Sequence, residues 1–278
     1  MLDREERRKA LQEELGEEVT LDGLTQGFDL LQRRRGHRTS TDDLLTAWYA
    51  VTYAQSVGLA PARLLDLGSG IGSVGLATLW RFPEAHLTAI EAQAISFRLL
   101  EANVDMNGLG DRVTRIHDDL RHVRDDVPPA AYDLVTGSPP YFDVSAGVVP
   151  ADSQKAHARF ELRGDVRDYA LAAKRTLAPH GAFVLCFPTV QRARAERACA
   201  DAGLPPQRIR DVIPRAGAAP LFSLLACVHA ERTDATRTPH VEPPYVVRDA
   251  EGTQTDEHAA ARAVFGMGQR AEGAPSAS

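Results

Sequence analysis

The sequence predicts an α/β protein built on a seven-stranded, mostly parallel sheet with helices on both faces. From residue 63 onward, short apolar segments typical of buried strands alternate with longer segments typical of helices, and this alternation favours a parallel sheet. The last two strands are separated only by the Gly/Ala/Pro turn 214–220. Strands joined without a helix run antiparallel, so we expect one antiparallel strand near an edge.

The predicted elements follow one another in a regular order. The seven strands cover residues 63–67, 87–91, 113–117, 132–136, 182–187, 208–213 and 223–228. The helices between them cover residues 73–80, 94–107, 166–177 and 193–201. This order predicts a sheet whose strand ends gather at one edge, where ligands of doubly wound sheets bind.

The chain divides into three predicted parts. Residues 61–230 form the sheet core, and residues 1–60 form an N-terminal helical extension that covers the ligand crevice. Residues 231–278 form an appendage of strand, turn and helix, and its Gly/Ala/Ser-rich end predicts disorder from about residue 267.

Composition narrows the class of protein. The chain is 25% charged and 44% hydrophobic, which is typical of a soluble globular protein. We expect no membrane span and no secretory signal, since no long apolar run occurs. Three widely spaced cysteines predict neither a disulfide framework nor a metal site, as in a cytoplasmic protein. The net charge of −6 argues against a wholly basic nucleic-acid coat protein.

A glycine-rich loop follows the first core strand. Asp66 is the next-to-last residue of that strand, and Gly68, Gly70 and Gly72 follow the strand. Glycines let the backbone approach a ligand closely and adopt unusual φ angles. Glu91 ends the second strand, where a carboxylate can accept hydrogen bonds from both hydroxyls of a ribose.

Two cofactors compete for this loop. Gly70, Gly72 and Gly75 match the spacing of the dinucleotide fingerprint. However, Asp66 would repel a pyrophosphate, whereas it suits the cationic amino-acid end of S-adenosylmethionine. We therefore expect S-adenosylmethionine rather than NAD, and a tight turn without a ligand is the structural alternative.

The acid, the three glycines and the second acid resemble motifs I and II of class I methyltransferases, which have a Rossmann-like fold. The resemblance implies that the cofactor is held by Asp66, Gly68, Gly70, Gly72 and Glu91. It also implies an acid after the third strand that accepts from the cofactor's adenine, for which Asp119 is the choice and Asp118 the alternative.

A proline pair follows the fourth strand, in the segment Ser138-Pro139-Pro140-Tyr141-Phe142. Prolines stop the ladder and stiffen the chain. The Pro139 carbonyl could accept from an exocyclic amine, and Tyr141 could stack on a base. The segment resembles motif IV of amino-methyltransferases. This resemblance implies catalytic roles for Ser138, Pro139 and Tyr141, a cofactor contact for Ser138, and substrate contacts for Pro140, Tyr141 and Phe142.

A closer resemblance links residues 24–266 to the tRNA adenine-N6 methyltransferase family that acts beside the anticodon of a valine tRNA. The shared segments are Ser40–Leu45, Ala158–Glu161, Pro179–Gly181, Pro244–Gly252 and Thr255–Phe265. Asp42, within the first of them, is expected to bind the cofactor. The family usually has Asn where this chain has Ser138, and Ser-Pro-Pro-Tyr is familiar from cytosine-N4 DNA methyltransferases.

We expect methylation of an exocyclic base amine, namely adenine N6 in tRNA or another structured RNA. Cytosine N4, a protein amide, a small-molecule amine and a cofactor-binding scaffold without turnover stay open as alternatives. The basic cluster Arg33, Arg34, Arg35 and Arg38 is expected to contact RNA phosphate, or else to be a solvated turn. We expect a monomer without a metal.

Overall fold

A nine-stranded, mostly parallel β-sheet lies at the centre of the protein. The computed structural model describes residues 3–122, 127–141, 152, 154, 161, 164–232 and 238–268. Phe142, the segment Ala158–Phe160 and the predicted disordered tail after residue 268 lie outside the described residues.

Eleven strands occur in the described residues: β1 (Val19–Gly23), β2 (Asp29–Arg33), β3 (Arg63–Leu67), β4 (His86–Ile90), β5 (Val113–Ile116), β6 (Tyr132–Gly137), β7 (Leu177–Pro188), β8 (Pro206–Ile213), β9 (Phe222–Cys227), β10 (His240–Val241) and β11 (Tyr245–Val246). The sheet has the order β10-β8-β9-β7-β6-β3-β4-β5, and β11 also pairs with β8. Strands β1 and β2 form a separate antiparallel hairpin.

Seven α-helices accompany these strands in the described part of the chain: α1 (Arg4–Leu15), α2 (Thr41–Ser56), α3 (Ser73–Arg81), α4 (Ala94–Met106), α5 (Val166–Thr176), α6 (Arg192–Asp201) and α7 (Asp256–Ala263). Apolar clusters on the two faces of the sheet bury its side chains. Each helix in this part of the chain is too short or too polar to cross a membrane.

The predicted core sheet is confirmed, including its single antiparallel strand. Strand β9 runs antiparallel to both β7 and β8, whereas the other strands of the core pair in parallel. Two short strands of the appendage, β10 and β11, add to the predicted seven by pairing with β8. They cover backbone groups that an open edge would leave unpaired.

The N-terminal segment is not wholly helical, because it contains the β1–β2 hairpin. Two asparagines of α4 hold this hairpin: Asn103 Oδ1 accepts from Leu31 N at 2.6 Å, and Asn107 Oδ1 accepts from Asp29 N at 3.0 Å. Leu30 and Leu31 are fully buried. The hairpin thus depends on contacts with a helix that lies more than sixty residues away in the chain.

The C-terminal appendage packs against the N-terminal segment. Tyr245 and Phe265 are fully buried. The ring of Tyr245 lies 5.1 Å from that of Trp48 on α2, and the Phe265 carbonyl accepts from Gln26 N at 2.8 Å. The appendage therefore packs on α2, whose N-terminal end borders the candidate site, and it bonds to the N-terminal segment as well.

Candidate active site

The glycine loop between β3 and α3 adopts the left-handed backbone that glycine favours. Gly68, Gly70 and Gly72 have φ angles of 63°, 57° and 95°, a region in which other residues are strained. Gly68 also needs to lack a side chain, since a Cβ there would collide with the Tyr169 hydroxyl. The backbone conformation of this loop thus favours glycine at all three positions, whether or not a ligand binds.

Glu91 fixes the position of this loop from the end of β4. Its Oε2 accepts from Gly70 N at 2.8 Å, and its Oε1 accepts from Gln93 N at 2.6 Å. A carboxylate oxygen can accept more than one hydrogen bond. Glu91 therefore both orders the loop and presents its charge to the cavity that the loop borders.

Asp66 is a buried carboxylate shared by three elements. Its Oδ1 accepts from Thr136 Oγ1 of β6 at 2.6 Å, and its Oδ2 accepts from Gly75 N of α3 at 3.1 Å. Burial raises the pKa of Asp66 to about 6. A Cβ on Gly75 would lie only 2.8 Å from Asp66 Oδ2. The last glycine of the dinucleotide-like spacing therefore makes room for the Asp66 carboxylate between β3 and α3.

The cavity at this edge of the sheet has more acidic than basic side chains in its wall. Asp43, Asp66, Glu91 and Asp118 contribute four carboxylates, and Arg38 contributes one guanidinium among the described lining residues. A cavity with this excess of negative charge favours a cation and disfavours a diphosphate. The residues therefore fit S-adenosylmethionine, which carries a sulfonium and an ammonium group.

The two acids after β5 lie in different environments. Asp118 lines the cavity. Asp119 instead forms an ion pair with Arg121, with 2.7 Å between Oδ2 and the guanidinium, and it is not part of the cavity wall. Of the two residues considered for the adenine contact, the structure places the alternative, Asp118, at the cavity.

Asp42 and Asp43, at the start of α2, likewise lie in different environments. Asp42 Oδ2 accepts from the Tyr141 hydroxyl at 2.8 Å, and Asp42 does not line the cavity although it was predicted to bind the cofactor. Asp43 lines the cavity, and its Oδ2 accepts from Ser40 N at 3.0 Å. Burial, followed by the charges of Asp42 and Asp66, raises the pKa of Asp43 to about 8.

The proline segment begins beside the glycine loop, because Gly137 at the end of β6 pairs with Leu67 of β3. Ser138 and Pro140 line the cavity, whereas Pro139 lies between them outside its wall. Ser138 Oγ accepts from the buried Cys186 thiol at 3.4 Å. The sheet register therefore brings the predicted catalytic segment next to the acidic cavity.

Tyr141 is held at several points behind the proline pair. Its hydroxyl donates to Asp42, and its carbonyl accepts from Gln191 Nε2 at 2.8 Å. Its ring meets that of Phe187 edge-on at 6.0 Å between centroids. Burial raises the pKa of Tyr141 well above its usual value, so the hydroxyl stays protonated and donates. These contacts fix the orientation of the ring.

The four predicted phosphate-binding arginines separate into buried and exposed groups. Arg33 is only 7% exposed and forms ion pairs with Glu17 at 2.6 Å and Asp152 at 2.8 Å. This burial corrects the expectation for Arg33, because a phosphate could reach it only after these pairs had broken. Arg34 is exposed and pairs with Glu18, and Arg35 is exposed as well. Arg38 is partly exposed and pairs with Asp22.

Comparison with known proteins places the chain in a family. A curated protein of Aeromonas hydrophila named tRNA1(Val) (adenine(37)-N6)-methyltransferase is 32% identical over 202 residues, which are 70% of this chain and 80% of that protein. The chain belongs to this methyltransferase family. The family model described as the methyltransferase small domain also matches residues 53–165. The chain is accordingly an S-adenosylmethionine-dependent methyltransferase.

Solved structures of other methyltransferases share the fold. A predicted O-methyltransferase from Agrobacterium tumefaciens has a TM-score of 0.61 at 16% identity, over 82% of this chain and 98% of its own. TYW2 of M. jannaschii, solved in complex with AdoMet, has a TM-score of 0.50 at 14% identity, over 76% of this chain and 85% of its own. The class I methyltransferase fold predicted from the sequence is thereby confirmed.

Several residues of this methyltransferase site were not predicted from the sequence. Asp43, Gln154 and Tyr169 line the cavity, and Cys186 contacts Ser138. Gln154 is buried and accepts from His37 N at 3.1 Å. Asp43 had a signal, since it follows Asp42 directly in the Thr-Asp-Asp segment. The others are ordinary residues of a helix, a strand or a long connection, and only their tertiary contacts bring them to the site.

The raised pKa of Asp43 predicts a pH-dependent effect on stability. Between about pH 4, where an unfolded aspartate titrates, and about pH 8, where Asp43 titrates, the folded protein binds more protons than the unfolded chain. The contribution of Asp43 to stability therefore falls as the pH rises through this window. In urea unfolding, we expect Asp43→Asn to gain stability relative to wild type from pH 5 to pH 9.

The matched control for this titration is Asp111→Asn, at an exposed aspartate after α4. Its difference from wild type should be the same at both pH values. Parallel pH profiles for wild type and Asp43→Asn would contradict the raised pKa.

The different surroundings of Asp118 and Asp119 predict different effects on cofactor binding. By calorimetry, Asp118→Ala should weaken S-adenosylmethionine binding by about 1–3 kcal/mol, as expected for a lost hydrogen bond to a charged acceptor. Asp119→Ala should leave the affinity within about twofold of wild type, because the carboxylate it removes faces Arg121. If Asp119→Ala weakened cofactor binding more than Asp118→Ala, Asp119 would be the residue that accepts from adenine.

Proposed function

We propose that this enzyme methylates N6 of adenine in tRNA, as its Aeromonas hydrophila relative is named for doing at adenine 37 of tRNA1(Val). The observation that carries the proposal is the position of Ser138, Pro139 and Pro140 beside the acidic cavity, at the end of β6. A cofactor in that cavity and an amine at this segment would be neighbours.

The residues around the cavity suggest how each part of the cofactor is held. We assign the cofactor's ammonium group to Asp43 and Asp66, its ribose hydroxyls to Glu91, and its adenine amino group to Asp118. Each of these side chains lines the cavity. When bound, S-adenosylmethionine supplies an electrophilic methyl group.

The chain's own contribution is to position a weak nucleophile. An amine conjugated to an aromatic ring has a delocalised lone pair, so it attacks poorly unless its nitrogen becomes more tetrahedral. The Pro139 carbonyl and Ser138 Oγ are the proposed acceptors for its two N–H groups. Prolines on both sides of the Pro139 carbonyl restrict the backbone, so positioning and fixed dipoles account for most of the expected rate enhancement.

Tyr141 is the proposed platform on which the target base stacks. Its hydroxyl and carbonyl are both held, which lowers the entropy lost when a base packs against the ring. Pro140 and Phe142 are the other proposed substrate contacts. Phosphate contacts come from Arg34, Arg35 and Arg38, since Arg33 is buried in ion pairs. We place the reaction in the cytoplasm and expect a monomer.

Product analysis tests the reaction and its target together. The purified protein is incubated with S-adenosylmethionine and a tRNA1(Val) transcript, and nucleosides are identified by mass spectrometry. We expect N6-methyladenosine, and no product from a transcript that carries guanine at position 37. Formation of N4-methylcytidine would show that the target is cytosine. Cytosine is the second candidate because this chain has Ser138 where the family usually has asparagine. Methylation of proteins or small amines alone would overturn the RNA proposal.

Substitutions of Tyr141 separate its ring from its hydroxyl. Tyr141→Ala should lower kcat by about 10- to 100-fold, since stacking of a base on an aromatic ring contributes about 1–3 kcal/mol. Tyr141→Phe keeps the ring and loses the hydrogen bond to Asp42, so kcat should fall less than about tenfold. Both variants should bind S-adenosylmethionine within about twofold of wild type by calorimetry. If Tyr141→Ala loses cofactor binding and cooperative unfolding together, the ring belongs to the core instead.

A further inference from the structure

Two large apolar side chains project into solvent from neighbouring segments. Val190 is 90% exposed and Leu221 is 62% exposed, more than any other large hydrophobic residue in the described part of the chain. Their segments touch, because Thr189 N donates to the Leu221 carbonyl at 3.2 Å. We call Val190 and Leu221 the rim pair. Exposure of apolar side chains to water is unfavourable, and a group of them on the surface often marks a contact surface.

The rim pair lies at the edge of the sheet that carries the site. Pro188 at the end of β7 pairs with Phe222 at the start of β9, and β7 runs parallel to β6. The residues that follow β7 therefore emerge beside the proline segment that follows β6. A direct link exists as well, since Gln191, next to Val190, donates to the carbonyl of Tyr141 at 2.8 Å.

The turn next to the rim pair is mostly apolar, whereas Arg192, two residues after Val190, forms ion pairs with Glu196 and Asp211. Residues 214–219, between β8 and β9, are exposed and consist of Pro, Arg, Ala and Gly. Their single charge is Arg215, for which no ion pair is formed within the described residues. Ala216 N donates to the Arg248 carbonyl at 2.8 Å, so the turn is tied to the C-terminal appendage. The apolar turn next to the rim pair thus carries one positive charge, that of Arg215.

We propose that the rim pair packs against the faces of the unpaired nucleobases that flank the target base in the RNA substrate, with Arg215 on the adjoining phosphate. This inference rests on the proposed function and adds a substrate-contacting surface to it. A base that leaves its stack to reach the site exposes the faces of its neighbours. Aliphatic side chains pack on such exposed faces and exclude water.

The size and position of the surface favour RNA over a protein partner. A stable protein interface usually buries about 800 Å² on each side, whereas the rim pair and the small side chains beside it offer few anchoring groups. An RNA strand whose target base reaches Tyr141 must pass close to Gln191 and Val190, because Gln191 is bonded to Tyr141. The expected contacts therefore lie at nucleotides next to the target.

The test compares two double variants in methyl transfer to the tRNA1(Val) transcript. In Val190→Ser/Leu221→Ser, the KM for RNA should rise about tenfold and kcat should change less than about twofold, since the pair supplies binding area and no chemistry. The matched control is Val57→Ser/Leu171→Ser, at exposed apolar residues of 44% and 45%. Val57 directly follows α2, at the edge of the sheet opposite the site, and Leu171 lies within α5. The KM of this control variant should therefore match that of wild type.

Three further outcomes would overturn the inference in distinguishable ways. Wild-type methylation of RNA with equal KM in both double variants overturns the rim-pair contact and leaves the proposed function standing. A wild type that methylates no RNA overturns the proposed function and this inference with it. Loss of self-association by sedimentation, without a change in KM, would assign the rim pair to contacts between copies of the chain. Melting temperature and S-adenosylmethionine affinity should be unchanged in both variants.

Discussion

The buried carboxylate of Asp66 is the interaction on which the rest of the site depends. It accepts hydrogen bonds from Thr136 of β6 and from the backbone of Gly75 in α3, and it thereby joins the elements on either side of the glycine loop. A buried carboxylate that lacked these partners would be strongly unfavourable. Its fit requires that Gly75 carry no side chain. The absence of a side chain at Gly75 and the close approach of α3 to β3 both follow from this one group.

Several acidic side chains lie close to Asp66 in the cavity wall, and their mutual repulsion is unfavourable when no cation is bound. Asp43 and Asp66 both have raised pKa values because burial and neighbouring carboxylates oppose their ionisation. Such a cavity loses some stability without a cation and gains electrostatic free energy when a cation binds. The acidic groups of the cavity therefore favour a cofactor that carries a sulfonium and an ammonium group over one that carries a pyrophosphate.

The proline segment is positioned by contacts from several elements rather than by its own sequence alone. Asp42 of α2 holds the Tyr141 hydroxyl, Gln191 after β7 holds its carbonyl, and Cys186 of β7 bonds to Ser138. Rigid placement is what a reaction without strong acid–base catalysis requires. The appendage contributes indirectly, because Tyr245 packs on Trp48 and so supports α2, the helix that carries Asp42 and Asp43.

The sequence by itself determined the core sheet, its antiparallel strand, the glycine loop and the proline segment, because each is encoded by neighbouring residues: apolar runs, φ-permissive glycines and chain-stiffening prolines. Only the tertiary structure decided which of two adjacent acids meets the cavity, at Asp42 and Asp43 and again at Asp118 and Asp119. Adjacent side chains point in different directions, and the packing of each element selects between them. The burial of Arg33 and the β1–β2 hairpin were decided in the same way, by Glu17, Asp152 and Asn103, whose contacts no local pattern contains.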